Sequence, residues 1–195
     1  MELERPVRWG GLAALLAGVL LVVSELLRLY IDLLDPNLYG SIFVFNGVLG
    51  LLLSVLVQLG LVGLYARQAG AAGTLGLVGF VLAFIGVNLS MGASFVDTFA
   101  KPVVWPWVDP EFFERSVAAL AIFAPGFVLG WVLFGVATLK ARVYPRASAM
   151  LLIAGALILL LPLPLGGLVF AAALAWMGYV LFTGRDEEVS QPTRA

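Results

Sequence analysis

The chain has no histidine and no cysteine among its 195 residues. Those two absences exclude His-ligated haem, Cys-ligated iron–sulfur clusters, the usual zinc sites, disulfides and thiol redox chemistry. They also exclude every Ser-His or Cys-His nucleophile pair. Charge is scarce too: Asp, Glu, Lys and Arg make up 12% of the chain, about half the share in an ordinary globular protein. The two lysines, Lys101 and Lys140, fall at the edges of apolar segments, so a buried Ser-Lys dyad has no candidate. Eleven basic against twelve acidic residues leave a net charge of -1, which removes the electrostatic case for nucleic acid as a partner. No cofactor and no metal site is expected from this inventory.

Apolar residues fill the space: 62% of the chain, with a mean hydropathy of +1.07. A soluble domain of 20.7 kDa has too little polar surface to cover that much hydrocarbon. The expected fold class is therefore all-α, a polytopic transmembrane helix bundle whose main partner is the lipid bilayer.

A hydrocarbon core of about 30 Å needs about 20 helical residues. On that measure the sequence predicts spans at Val7–Ile31, Ser41–Tyr65, Thr74–Ala100 and Ser116–Leu139, then a hairpin of Ala147–Leu161 and Leu165–Thr183. Pro162 and Pro164 break the last stretch, since proline removes a backbone donor and disfavours helix in the residue before it. Six spans is the expected count, with five as the alternative. Residues 1–183 form one transmembrane domain, and residues 184–195 a short polar cytoplasmic tail.

The basic residues test that count. Arg5, Arg8, Arg67, Lys140, Arg142, Arg146, Arg185 and Arg194 fall on one side if both termini share it. The other side receives Arg28, Lys101 and Arg115, beside Asp32, Asp35, Asp97, Asp109, Glu111 and Glu114. By the positive-inside rule both termini are cytoplasmic. The apolar run from Trp9 to Ser24 mimics a signal peptide, but it ends in Glu25-Leu26-Leu27-Arg28 without an A-x-A cleavage site, so it is expected to be retained.

Small residues recur every three or four positions in span three: Gly76, Gly79, Ala83, Gly86, Ser90 and Ser94, ending at Asp97. Close packing of small residues does much of the work of helix association in lipid, so this span is expected at the centre of the bundle. An L-x-A-R pattern at Leu64–Arg67 recurs at Leu139–Arg142, aligning Gly60 with Gly135. It suggests parallel internal repeats of spans two–three and four–five. The alternative is that any helix re-entering the cytoplasm ends in a basic residue.

Polar side chains within spans are the default candidates for function. Glu25, Arg28 and Asp32 lie at i, i+3 and i+7 on one face of span one, within mutual reach. Asn46 lies about 8 Å below the outer start of span two, and Asn88 about 18 Å below the outer end of span three. Asp97 and Lys101 form an i,i+4 pair at that outer end, and Pro125-Gly126 interrupts span four in its outer half. Glu25, Arg28, Asn46, Asn88 and Asp97 are thus the candidate binding residues, gathered toward the outer half as an outward-facing vestibule. Two plainer readings stand beside it: interfacial snorkelling charges on span one, and asparagines that only bond neighbouring helices. In the connection after span three, Trp105-Pro106-Trp107 reads as an interfacial aromatic anchor, and Asp109-Pro110-Glu111 as a helix start.

The segments Gly63-Leu64-Tyr65-Ala66-Arg67-Gln68-Ala69 and Leu77-Val78-Gly79-Phe80-Val81-Leu82-Ala83-Phe84 resemble those of small uncharacterised multi-pass proteins of bacteria. The resemblance covers the middle third of the chain and implies no activity; it implies a bacterial inner membrane as the location. The expected function is a non-enzymatic bundle that binds or passes a small solute or lipid group from the outer side. The alternative is an accessory or scaffold subunit of a larger membrane complex. An intramembrane enzyme is the least favoured of the three classes, because its carboxylate candidates Glu25, Asp32 and Asp97 have Arg28 and Lys101 beside them to neutralise them.

Overall fold

The computed structural model describes residues 4–34, 39–100, 111, 115, 124–161 and 165–184. Among the described residues the long elements are all helical: α1 (Glu4–Leu34), α2 (Tyr39–Phe95), α3 (Ala124–Ala141), α4 (Arg146–Ile158) and α5 (Leu165–Thr183). A π-helical turn, Val96–Ala100, extends α2. Three helical stretches are long and apolar enough to cross a membrane: Arg5–Tyr30, Gly47–Phe95 and Gly166–Thr183. Pro125–Ala141 and Arg146–Ile158 are shorter apolar helices.

The apolar stretch of α2 is 49 residues, about 74 Å of helix and more than twice a hydrocarbon core. It does not run straight. Gly73 leaves helical geometry at φ 58°, ψ −160°, where a residue with a side chain would be strained. Around it α2 doubles back into two antiparallel arms, residues 39–72 and 74–95. The Tyr65 and Phe80 rings stack at 4.5 Å across the arms, and Gly50 faces the Ser94 side chain nearer their far ends. A loop is expected from the sequence between Tyr65 and Thr74. In the structure the helix continues through Arg67, Gln68 and Ala72, because each of these residues tolerates helix and Gly73 alone breaks it.

The segments then close into a ring. α1 packs on the first arm of α2 and on α5, the second arm packs on α3, α3 on α4, and α4 on α5. The contacts run through small residues. A methyl placed on Gly63 would lie 2.6 Å from the Gly10 Cα, and one on Gly60 2.8 Å from the Ala14 Cα. Across the α1–α5 seam, a methyl on Gly18 would meet the Ala171 carbonyl and the Ala175 side chain, both at 2.6 Å. On the α4–α5 seam, one on Gly155 would meet the Phe170 backbone at 2.6 Å. Close backbone approach of this kind is how apolar helices gain van der Waals contact in lipid. The second arm does carry the expected small stripe, Gly79, Ala83 and Gly86, against α3. It is not central, however, because its opposite face is exposed at Val78, Val81 and Ile85.

One apolar cluster joins all five helices. Trp131, Phe134, Leu61, Leu64, Leu152, Leu174 and Met177 are fully buried within it, and the Trp131 ring meets Phe170 edge-on at 4.9 Å. α3 ends at Arg142, whose N–H donates to the Thr138 carbonyl at 3.1 Å in the left-handed conformation (φ 55°). Pro145 follows and opens α4. The aligned stretches of the proposed repeat therefore differ: Arg67 continues a helix while Arg142 terminates one. Gly60 faces α1 while Gly135 faces Ile153 of α4. The turn expected at Pro162–Pro164 and the tail beyond 184 lie outside the described residues, as do residues 116–123 of the expected fourth span.

Candidate functional site

Glu25 stands in the C-terminal half of α1, on the side turned to α5. It is half-buried, and a methyl on Gly167 would lie 2.6 Å from its carboxyl carbon and 2.9 Å from its Cγ. The absence of a side chain at Gly167 is thus what makes room for this carboxylate between the two helices. Arg28 lies one turn on and is exposed.

Asn88 is on the second arm of α2. Its Nδ2 donates to the Phe84 carbonyl at 2.8 Å, one turn back on the same helix, and the residue is exposed. Ser54 and Ser90 fold back in the same way, onto the Gly50 and Gly86 carbonyls. The face carrying Asn88 also carries Val81 and Ile85, about half a turn away from the Ala83 and Gly86 stripe that meets α3. The amide therefore points away from the bundle rather than into it. Glu25 on α1 and Asn88 on the outer face of α2 are not brought together.

The side chains of Asn46, Asp97 and Asp32 lie outside what is described, although their backbones are helical. Lys101, Trp105, Trp107, Asp109 and Pro110 lie outside the described residues altogether. Glu111 and Arg115 form an exposed i,i+4 ion pair at 3.2 Å. Where the two arms of α2 meet at the ends remote from Gly73, the buried Thr98 side chain fills the space over Gly47.

Sequence reasoning passed over a different set of polar groups. Gln68 is fully buried, and neither its Nε2 nor its Oε1 has a hydrogen-bond partner. The Gln58 Nε2 and Trp131 Nε1 atoms are buried without partners as well. The signal for Gln68 was present: it follows Leu61 and Leu64 at i+7 and i+4, the spacing of one helix face, and both leucines are core residues. Nearby, the Tyr144 hydroxyl donates to the Leu64 carbonyl at 3.3 Å, tying the α3–α4 connection to α2.

Chemically this is a sparse site. Residues 39–95 and 124–183 contain no Asp or Glu, so beyond residue 38 the carboxylates are confined to Asp97 in the π-helical turn, residues 101–123 and the tail after 183. Among the described residues no group of three or more His, Cys, Asp or Glu could hold a metal ion. Compared with known proteins, the chain matches no family profile, no curated protein and no solved structure.

Proposed function

We propose that the chain is a non-enzymatic, six-span membrane protein with both termini cytoplasmic, acting as an accessory or scaffold subunit through its lipid-facing surface. The observation that carries this reading is the position of Asn88. A side chain amide in the apolar part of a span belongs against another polar group, and this one faces outward from its own bundle. The large, fully buried side chains that join all five helices support the same reading, because they fill the interior with hydrocarbon. Six spans follow from counting the two arms of α2 separately and taking α3 and α4 as the inner-facing ends of two further crossings.

The rival is the outward vestibule that binds a small solute or lipid group. Glu25 against Gly167 is its remaining anchor.

Two measurements test the proposal. Membranes are extracted into polymer nanodiscs, and the mass of the assembly is compared with that of a single 20.7 kDa chain. A single chain whose melting temperature rises with a solute, and loses that rise in Glu25→Gln, would favour the vestibule. Orientation is read by single-cysteine labelling, which is clean because the chain has no cysteine. Ala71→Cys, exposed at the α2 bend, should label only from the cytoplasmic side, and Leu161→Cys only from outside. Leu161 labelled from the cytoplasm would overturn the six-span count.

A further inference from the structure

The second arm of α2 carries one exposed line of residues at alternating spacings of three and four: Val78, Val81, Ile85, Asn88, Gly92 and Phe95. This is the a/d pattern by which two helices pack along a left-handed seam. All but Asn88 and Gly92 are large apolar side chains with roughly half their surface exposed, such as Ile85 at 49% and Phe95 at 53%.

Two members set this face apart from ordinary lipid contact. Asn88 offers both a donor and an acceptor to a region without water, and its Nδ2 has found only the carbonyl of its own helix. Gly92, one turn on, has nothing within 4 Å of where a side chain would project. A glycine inside a helix costs about 1 kcal/mol relative to alanine, and along the helix seams of this fold that loss is offset by close approach, though not at Gly70 or Gly126. The Gly10–Gly63, Gly60–Ala14 and Gly155–Phe170 contacts are examples. At Gly92 no described neighbour supplies it.

We propose that this face pairs with the same face of a second copy of the chain, Asn88 hydrogen-bonded to its counterpart and Gly92 at the closest approach. The depth of Asn88 selects a second copy as the occupant. Every copy inserts in one orientation, so a two-fold axis along the membrane normal sets Asn88 opposite Asn88 at the same level. An amide is its own complement, donating through Nδ2 and accepting through Oδ1. A single polar residue in an otherwise apolar seam also fixes register and oligomeric state. The inference rests on the reading of the protein as a subunit that works through its outer surface, and names the partner.

The test uses the full chain in native membranes. Ile85→Cys, on the proposed seam, should give disulfide-linked homodimers on mild oxidation. Val55→Cys, equally exposed on the other arm of α2, should not. Adding Asn88→Leu to Ile85→Cys should weaken the dimer roughly three- to thirty-fold in a lipid-dilution series, the range for an interhelical hydrogen bond in lipid. Gly92→Leu should abolish it by holding the backbones apart. Both residues are exposed, and unchanged helicity and melting of the monomer confirm that the variants fold. Equal cross-linking at 55 and 85, or an Asn88→Leu dimer of undiminished strength, overturns the pairing. If position 85 instead cross-links to a different protein and the purified chain is monomeric, the pairing fails while the accessory reading stands. If position 85 captures nothing and the chain is monomeric in native membranes, both fail.

Discussion

Arg8, near the start of α1, donates through Nε to the main-chain carbonyl of Phe182 at 3.3 Å, and its guanidinium carbon lies 5.9 Å from the Phe182 ring centre. Phe182 is in the last turn of α5, where carbonyls lack helical partners and the helix dipole is negative. One residue thus ties the first helix to the last at their shared end. A cation at a helix C-terminus contributes about 0.3–1 kcal/mol at low ionic strength. Arg8→Leu should lower the melting temperature in detergent by roughly 1–4 °C. Raising the salt should shrink the difference, and Arg8→Lys should restore part of it. Equal melting of wild type and Arg8→Leu at low salt would show that the link contributes nothing.

The α1–α5 seam beyond it depends on backbone proximity. Gly18→Ala would bring a methyl onto the Ala171 carbonyl and the Ala175 side chain, neither of which can swing aside. The helices must then separate, at a cost of about 1–3 kcal/mol. Gly70→Ala makes the opposite case, because nothing lies within 4 Å of that position in a helical stretch. Removing a helix glycine there should stabilise by up to about 1 kcal/mol. A thermal melt of the two variants in one detergent checks both signs, and similar shifts would count against the seam.

These seams were partly legible before the structure. α5 occupies the residues expected of the last span, because Pro164 before it and Gly184 after it punctuate a stretch with no charge. The glycine stripe of the second α2 arm was also visible as a stripe. What it packed against was not, since period alone marks a face without naming its partner. Asn88 shows the consequence: it lies about 200° around the helix from Gly86, so the stripe that meets α3 turns the asparagine outward. Grouping it with Glu25 by depth ignored that angle. Gln68 was missed for a different reason. It follows Arg67, a basic residue that reads as a membrane edge, and the segment therefore read as a loop. The backbone stays helical as far as Gly73 and carries Gln68 back onto the core face.

Arg28 separates the two readings of α1. The residue is exposed, and an exposed charged contact contributes about 0–1 kcal/mol. Arg28→Leu should therefore change the melting temperature little, and less still at high salt. A buried cluster would behave otherwise: removing one partner would cost about 3–5 kcal/mol, and Glu25→Gln in the same chain would recover part of it. A large loss rescued by Glu25→Gln would restore the vestibule as the leading function.

Gln68 gives the sharpest prediction about the core. Its amide is fully buried on the face that carries Leu61 and Leu64, with donor and acceptor both unpaired. A buried polar group without a partner forfeits about 1–3 kcal/mol of desolvation that folding does not return. Methionine has nearly the same length and volume, rotates freely enough to fit the same slot, and carries no such penalty. Gln68→Met should raise the melting temperature by several degrees, independent of salt. Gln68→Glu should do the reverse and strongly, because a buried carboxylate carries a far larger desolvation cost than an amide. Gln68→Ala then isolates packing: it removes the same amide but leaves space beside Leu64, so it should fall below Gln68→Met by the cost of that cavity. A Gln68→Met chain that melts lower than wild type would show that the amide is hydrogen-bonded in the folded protein.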